Sequence, residues 1–308
     1  GRVRTYRDQV DAFGGDEQDL YVLNGATKAE IPRIKINGRI RKVEIVNDKI
    51  IYVGTFEGDV YQIDLNARNA RDQKRRIHQS DTPIKELFYN ANQNQFFIVA
   101  SKKVFRFENG ISTIISENNE LTASTFLPKI NALLLASDQG LISNTGEKNN
   151  LIPLREIVFT SEKITALSLA GERLFVGTSL GQIYVYNVNL LTRDRVSLSF
   201  IDKIILHRSE ITKLFFDQTN NNLYSASFDN QVLKYNIDLD AVGNITTSAI
   251  SFIGHEKWVW DINLIKNADG DDLIITADEN GNLISWFDTS EKLVAKVENL
   301  IKLKKQEK

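Results

Sequence analysis

Few side chains in this chain could do chemistry, because it contains three histidines and no cysteine. Two of its three tryptophans, Trp258 and Trp260, stand close after His255 in the stretch GHEKWVWDINL, residues 254–264. Such a stretch could take part in a reaction, stabilise a fold or contact a partner. The elements that position it decide between these roles.

The histidines are not spaced as metal ligands. HEKW is not an HExxH helix, and no two histidines share a helix or strand at ligand spacing. His207 and His255 each stand four residues before an apolar strand position, which suits a hydrogen bond between a loop and a turn. His78 is expected at the surface. We predict no metal site and, since cysteine is absent, no disulfide or thiolate nucleophile.

Composition limits the classes of function. The chain has 308 residues, 25% of them charged, and a net charge of -2, so a nucleic-acid partner is disfavoured. No apolar run approaches the roughly 18 residues of a membrane helix, and the N-terminus lacks a signal-peptide core. We predict a cytoplasmic protein without a membrane partner, and leave the periplasm open. Methionine is absent, which indicates either an excised or processed piece of a longer chain or a sequence from which some residues are missing.

Repeated hairpin patterns predict the fold. Each copy has a β-rich run, a tight turn with Gly, Asn or Asp, and an alternating strand. Repeats of roughly 40–45 residues with this content are typical of a β-propeller of four-stranded blades. The copies cover residues 51–65, 96–108, 132–144, 174–188, 223–237 and 273–287.

A further short strand precedes each copy and has its own pattern. Apolar residues recur there at a first position and again three and five residues later, with Ser124 as the exception. Strand side chains alternate with a period of two, so a step of three needs one extra residue, and we predict a β-bulge near the start of each strand. These strands begin at Ile40, Ile84, Leu121, Ile164, Ile211 and Val259.

The expected organisation is an all-β propeller over residues 30–289, between an N-terminal helical segment (1–29) and a C-terminal amphipathic helix (290–308). Residues 30–36 read as a strand before the first copy, and the last copy lacks a fourth strand. We therefore expect residues 30–36 to complete the last blade and close the ring. This count gives six blades; seven, with one blade unrecognised, stays open.

The repeats resemble WD40 repeats, in which a GH pair precedes the first strand, a Ser/Thr strand leads to a turn Asp, and the third strand ends in WD. GHEKWV with SWFD, and LHRSEI with SASFDNQVLKYN, match best. The resemblance implies a WD40 propeller whose buried hydrogen-bond networks involve His207, Asp229, Tyr235, His255 and Trp286. Asn280 stands at the Asp position of the last blade, which departs from the pattern.

The last blade and the helical tail are similar to propellers that end bacterial STAND-type signalling ATPases. That resemblance implies an effector-sensing domain behind a nucleotide-driven switch. No GxxxxGK phosphate loop occurs in the sequence, so any ATPase module lies outside it.

The tryptophan pair occupies positions that are polar or turn-like in the other blades. Because these positions should face water at the rim or mouth of the channel, exposed indoles there predict a binding patch. In WD40 proteins the turn residue before the Asp position reaches the same face, which implies that Phe56 and Phe228 join it. In the other blades, the residue pairs at the positions of Trp258 and Trp260 are Arg39/Arg41, Pro83/Lys85, Glu120/Thr122, Lys163/Thr165 and Glu210/Thr212.

We therefore predict a face that binds a protein or peptide. Its apolar centre contains Trp258, Trp260, Phe228 and Phe56, and its cationic rim contains Arg39, Arg41, Lys85 and Lys163. Alternatively, the predicted terminal helices of this chain cover the indoles of Trp258 and Trp260, which would then not be available to a partner.

The function predicted from these residues is a non-catalytic sensor or scaffold in a larger bacterial protein. Catalysis in the channel would need several carboxylates or histidines converging on one mouth, and the compared positions offer mainly Glu120 and Glu210. No GxSxG motif occurs, so we predict no catalytic residue and no cofactor. A small-molecule-binding or enzymatic propeller that uses the central channel is the alternative.

Overall fold

A computed structural model describes residues 2–6, 10–15, 18–24, 30–117, 120–140, 142–145, 151–153, 162–192, 194–237, 249–266 and 272–287. In these ranges the regular secondary structure is almost entirely β-strand. Helical structure is limited to the short helix α1 (Ala70–Gln73) and a 3-10 turn (Pro128–Ile130). Neither is long and apolar enough to cross a membrane, and this finding covers the described residues only.

The strands form seven antiparallel sheets, which follow one another along the chain. The first sheet contains β1 (Arg2–Tyr6), β2 (Val10–Gly14), β3 (Asp19–Asn24) and β4 (Glu30–Lys35). The second contains β5 (Ile40–Ile45), β6 (Ile50–Thr55), β7 (Asp59–Asp64) and β8 (Lys74–Gln79). The third contains β9 (Ile84–Asn90), β10 (Gln95–Ala100), β11 (Lys103–Glu108) and β12 (Ile111–Glu117).

The remaining sheets repeat this order. The fourth contains β13 (Leu121–Leu127), β14 (Ala132–Ser137), β15 (Ile142–Thr145) and β16 (Leu151–Pro153). The fifth contains β17 (Ile164–Ala170), β18 (Arg173–Thr178), β19 (Gln182–Thr192) and β20 (Arg195–Ile205). The sixth contains β21 (Ile211–Asp217), β22 (Asn222–Ser227), β23 (Val232–Asn236) and β24 (Ala249–Phe252). The seventh contains β25 (Val259–Lys266), β26 (Asp272–Asp278) and β27 (Leu283–Phe287).

The sheets close into a ring, which identifies the fold as a β-propeller. The first strands of the sheets contact one another in the order β1, β5, β9, β13, β17, β21, β25, and β25 contacts β1. The six predicted repeats each form one sheet, from the second to the seventh. The first sheet is an additional blade between β25 and β5, as in the seven-bladed alternative that the sequence left open.

Two expectations about the N-terminus are wrong. Residues 1–29 were expected to be helical, but strands β1, β2 and β3 lie in this segment. Residues 30–36 were expected to complete the last blade, but β4 pairs with β3 inside the first sheet. The ring therefore closes through a whole sheet and not through one borrowed strand. The predicted C-terminal helix, residues 290–308, lies outside the described residues.

The predicted bulges are present in all six strands. In each case the pairing with the next strand skips one residue directly after the first apolar position, as between Ile40 and Lys42 or between Val259 and Asp261. The same shift occurs in β9, β13, β17 and β21. The skipped residues are Arg41, Lys85, Thr122, Thr165, Thr212 and Trp260.

The core lies between neighbouring sheets. Six clusters of buried apolar side chains each join two consecutive sheets, from the first and second sheets to the sixth and seventh. Glycine allows the closest approaches: a Cβ at Gly54 would lie 2.6 Å from the side chain of Ile84, and a Cβ at Gly177 would lie 2.9 Å from that of Ile211. These contacts fix the first strands of the third and sixth sheets, and with them the bulged residues Lys85 and Thr212.

Candidate functional site

The bulged residues line a central cavity of about 560 Å³. A bulge leaves its extra residue outside the hydrogen-bonded ladder and redirects its side chain. All six bulged side chains, including Trp260, belong to the cavity wall. The bulge that the sequence predicted from spacing is therefore the local feature that builds the site.

Three of the six bulged residues are threonines whose hydroxyl groups bond to backbone carbonyls. Thr165 Oγ1 donates to the carbonyl of Ile211 at 2.5 Å, and Thr212 Oγ1 donates to that of Val259. Both bonds reach the first strand of the next sheet. At these positions the hydroxyl groups join sheets, whereas Arg41, Lys85 and Trp260 bring larger side chains to the cavity.

A second set of contacts holds the residues two positions before the bulges. In six sheets, the backbone N–H of the turn between the second and third strands donates to the carbonyl of that residue. Phe228 N donates to Glu210 O at 3.0 Å, and Glu279 N donates to Trp258 O at 2.9 Å. The same bond joins Phe56 to Arg39, Ser101 to Pro83, Asp138 to Glu120 and Ser179 to Lys163. The turn residues thus lie beside the cavity mouth.

Three of the predicted aromatic residues are in mutual contact. The rings of Phe228 and Trp258 stack with centroids 4.5 Å apart, and Phe228 meets Trp260 edge-on at 4.8 Å. The planes of the two indoles are inclined at 71°, and their ring centroids lie 6.4 Å apart. Trp258 is 44% exposed, while Trp260 and Phe228 are half-buried and line the cavity. We call these three residues the aromatic cluster.

Phe56 belongs to a different group at the second sheet. The guanidinium carbon of Arg39 lies 3.9 Å from the centroid of its ring, and that of Arg41 lies 5.7 Å away. Arg39 also forms an ion pair with Glu57, with Nε and Oε1 3.2 Å apart. The first sheet lies between the second and the seventh, so the structure places Phe56 with the arginines and not within the aromatic cluster.

The predicted cations lie around the same cavity. Arg41, Lys85 and Lys163 line it, and Lys85 Nζ lies 3.3 Å from Oε1 of Glu120. Lys163 is exposed. The charge around the mouth is therefore mixed between the third and fourth sheets, and Lys163 adds an exposed cation at the fifth.

Sequence reasoning missed a group of charged residues in the cavity. Glu86 forms an ion pair with Lys42, which is only 5% exposed, and its other oxygen lies 3.9 Å from Nζ of Lys213. The three residues come from the second, third and sixth sheets. Each immediately follows a bulged residue, and that shared position was the signal in the sequence that could have identified them.

The predicted network of the sixth sheet is present. His207 Nδ1 lies 2.9 Å from Oδ2 of Asp229, and its Nε2 lies 2.6 Å from Oγ of Ser225, which also contacts the hydroxyl of Tyr235 at 3.2 Å. Ser227, at the end of the same strand as Ser225, does not bond to His207 in this network; its hydroxyl donates to the carbonyl of Ser209. Burial would raise the pKa of Asp229, but hydrogen bonds from His207 and two backbone N–H groups hold it below its ordinary value.

The seventh sheet contains an equivalent network with a carboxylate that the sequence reasoning missed. His255 Nδ1 lies 3.1 Å from Oδ2 of Asp278, and Nε2 lies 2.6 Å from Oγ1 of Thr276. Trp286 Nε1 donates to the same Thr276 oxygen at 2.9 Å. Asp278, at the end of β26, takes the place that was assigned to Asn280, which is exposed.

His78 is buried and not at the surface as expected. It is 8% exposed, and its ring lies 4.3 Å from that of Phe105 in the next sheet. Burial lowers its pKa to about 4, although the negative charge of Asp59 acts in the opposite direction. In the described part of the chain, no group of three or more histidine or acidic side chains is arranged to hold a metal ion.

No protein-family model and no curated protein sequence matches this chain. Solved structures match it in fold. The β-propeller domain of Myceliophteria thermophila Cps50 (Swd1) aligns with a TM-score of 0.74 at 14% identity, covering 93% of this chain and 96% of that one. A chain of the mitotic checkpoint complex aligns with a TM-score of 0.70 at 15% identity, covering 92% and 85%.

The computationally designed Ika8 protein aligns with a TM-score of 0.62 at 15% identity, covering 92% of this chain and 82% of that one. Identities this low show a shared fold and nothing about function. The chain is thus a β-propeller, and WD40 propellers are among its structural neighbours.

Proposed function

We propose that this propeller is a non-catalytic scaffold that binds a protein or peptide at the cavity mouth beside the aromatic cluster. The observation that carries the proposal is the contact of exposed Trp258 with Phe228 and Trp260, both of which line the cavity. Tryptophan is enriched among residues that dominate interface energies, especially where an apolar centre is surrounded by polar groups. Here Lys85 and Lys163 line the same cavity as Trp260 and Phe228.

The frame beneath the cluster supports this function. Phe228 lies in the turn fixed by Asp229 and Ser227, and the carbonyl of Trp258 accepts a hydrogen bond from the turn of its own sheet. A backbone held in this way loses little conformational entropy when a partner binds, so more of the contact energy contributes to affinity. Arg39, Arg41 and Phe56 form an outlying part of the proposed binding surface.

The wider setting is proposed from the sequence. The similarity of the last blade to bacterial STAND-type propellers favours a cytoplasmic sensor module attached to other domains. In such a protein, a partner that binds one conformation more tightly would shift the equilibrium between states. Small-molecule binding inside the cavity is the alternative function, and the volume of about 560 Å³ is within the usual range of ligand pockets.

The binding proposal is tested with a random-peptide library displayed on phage. Peptides selected on the wild-type protein are synthesised, and their affinities are measured by fluorescence anisotropy for wild type, Trp260→Ala and Trp258→Ala. Removal of an interface tryptophan should weaken binding by about 2 kcal/mol, or roughly 30-fold. Because Trp258 is exposed and Trp260 borders the cavity, the free energy of unfolding in urea should change little.

Ile111→Ala is the matched control, because Ile111 is 67% exposed on β12, away from the cavity wall. It removes apolar surface without touching the aromatic cluster and should leave the affinity unchanged. Selected peptides that bind both tryptophan variants as tightly as wild type would contradict the proposal. A large loss of stability in Trp260→Ala would show that the indole is mainly part of the core.

A further inference from the structure

We propose that the partner segment is acidic, with carboxylate side chains that enter the cavity mouth and a neighbouring apolar side chain that lies on the aromatic cluster. This inference rests on the proposed function and specifies the chemistry of the partner. It is carried by the charge of the cavity wall and by the position of Trp260 and Phe228 between that wall and the exposed surface.

The cavity wall has an excess of positive charge. Five cationic residues line it, against two carboxylates, an excess of three positive charges among these residues. The chain as a whole has a net charge of -2. The cationic residues are Arg41, Lys42, Lys85, Lys163 and Lys213, and the carboxylates are Glu86 and Glu210.

Glu120, the partner of Lys85, lies outside this set, and counting it lowers the excess to two positive charges. Glu86 forms ion pairs with both Lys42 and Lys213, so one carboxylate lies between two ammonium groups. Lys85 is paired with Glu120 at the rim, whereas Lys163 is exposed on the neighbouring sheet. A cavity with low-dielectric walls concentrates the electric field of its excess positive charge and attracts groups of the opposite charge. A carboxylate is therefore favoured there, and a basic side chain is repelled.

The geometry joins the charged cavity to the apolar patch. Trp260 and Phe228 line the cavity and also contact Trp258, which is exposed outside it. One extended segment could thus place an aliphatic or aromatic side chain against the cluster and a carboxylate among the lysines. Charges at the rim of an interface mainly affect the association rate and the choice of partner, and the apolar contact supplies most of the affinity.

The test compares peptide selections from the same phage library on wild type and on Lys163→Glu. Peptides from wild type should combine Asp or Glu with a nearby apolar residue, and their affinity should fall about tenfold in Lys163→Glu at low salt. Lys49→Glu is the matched control, because it makes the same change in net charge on the exposed turn between β5 and β6, outside the cavity wall. It should leave the affinity within about twofold of wild type.

Salt supplies a measurement that needs no variant. The affinity of wild type for its selected peptides should fall several-fold between low and high sodium chloride, since screening weakens charge attraction. If the selected peptides lack acidic residues but depend on Trp260, the acidic-partner inference is wrong and the binding face stands. If no selected peptide depends on Trp260, the binding face itself is wrong. An affinity that is unchanged in Lys163→Glu and in high salt also overturns the inference.

Discussion

The sixth and seventh sheets build the same buried network with carboxylates from different positions. In both, a histidine in the loop before the first strand contacts a carboxylate through Nδ1 and a hydroxyl group through Nε2. Asp229 lies in the turn, four residues after Ser225, whereas Asp278 ends its strand, two residues after Thr276. The histidine thus requires a carboxylate oxygen near Nδ1, and more than one backbone position can supply it.

The two carboxylates also hold different parts of the chain. Asp229 accepts hydrogen bonds from the backbone N–H groups of Arg208 and Gln231, so it joins the turn to the preceding loop. Asp278 accepts from the backbone and side-chain nitrogens of Asn282, so it closes its own turn. We infer that the sixth-sheet network mainly fixes the position of Phe228, and that the seventh-sheet network mainly fixes the β26–β27 hairpin.

The largest expected effect comes from removing these carboxylates. Asp278→Ala should lower the free energy of unfolding by about 3 kcal/mol, because it leaves a buried histidine and two Asn282 groups without their acceptor. Asp229→Ala should cost about 2 kcal/mol, since its side chain is less deeply buried, 6% exposed against 1% for Asp278. Urea unfolding at neutral pH measures both.

Asp138→Ala is the control for this comparison, because Asp138 is an exposed residue of the corresponding turn in the fourth sheet. It should change stability by less than about 0.5 kcal/mol. Equal losses for all three variants would mean that turn conformation, and not the histidine networks, determines these values. A larger loss for Asp229→Ala than for Asp278→Ala would reverse the comparison.

Sequence predicted most of the repeating architecture. The spacing of Val259, Ile262 and Leu264, and of the same positions in the other copies, predicted a bulge that all six strands contain, because strand periodicity leaves no other account of a step of three. The sequence did not predict the first sheet. That segment lacks the apolar spacing and the hairpin turn of the other repeats, and Leu20, Val22 and their neighbours also fit a helical period.

The residues of the candidate site likewise divide into those that the sequence predicted and those that it did not. Trp258 and Trp260 could be predicted because each departs from the polar or turn-like residues that sister repeats hold at the same position, and Phe228 because the WD40 resemblance places its turn on the same face. Phe56 was grouped with them because residues at one alignment position lie on the same face of the propeller. An alignment does not show how far apart two such residues are along the ring. The contact of Glu86 with Lys42 and Lys213 joins three separate sheets, so only the closed ring brings those charges together.

His78 sharpens the comparison of the histidines, because it is buried without a carboxylate hydrogen bond like those of His207 and His255. Its Nε2 has no hydrogen-bond partner among the described residues. Its pKa is lowered from 6.5 to about 4, so the neutral form stabilises the fold above pH 6.5, and this contribution is lost as pH falls toward 4. At pH 5 the loss should be about 2 kcal/mol.

His78→Leu isolates this contribution, since leucine keeps an apolar contact with Phe105 and cannot be protonated. The unfolding free energy of wild type should fall between pH 7 and pH 5, and that of the variant should fall by about 2 kcal/mol less. Parallel pH profiles would show that another group titrates in this range. A flat wild-type profile would show that His78 becomes solvated without loss of stability.

The smallest effect concerns the last member of the sixth-sheet network. Tyr235→Phe keeps the buried ring and removes only the hydroxyl that lies 3.2 Å from Ser225 Oγ, so the loss should be about 1 kcal/mol. Tyr89→Phe is the control, because the Tyr89 hydroxyl bonds to the exposed Asn94 and should contribute less than about 0.5 kcal/mol. A double-mutant cycle with Ser225→Ala then measures the coupling. Because Ser225 also contacts His207, coupling near zero would mean that the histidine and Asp229 hold the turn without Tyr235, as Asp278 and Asn282 hold theirs in the seventh sheet.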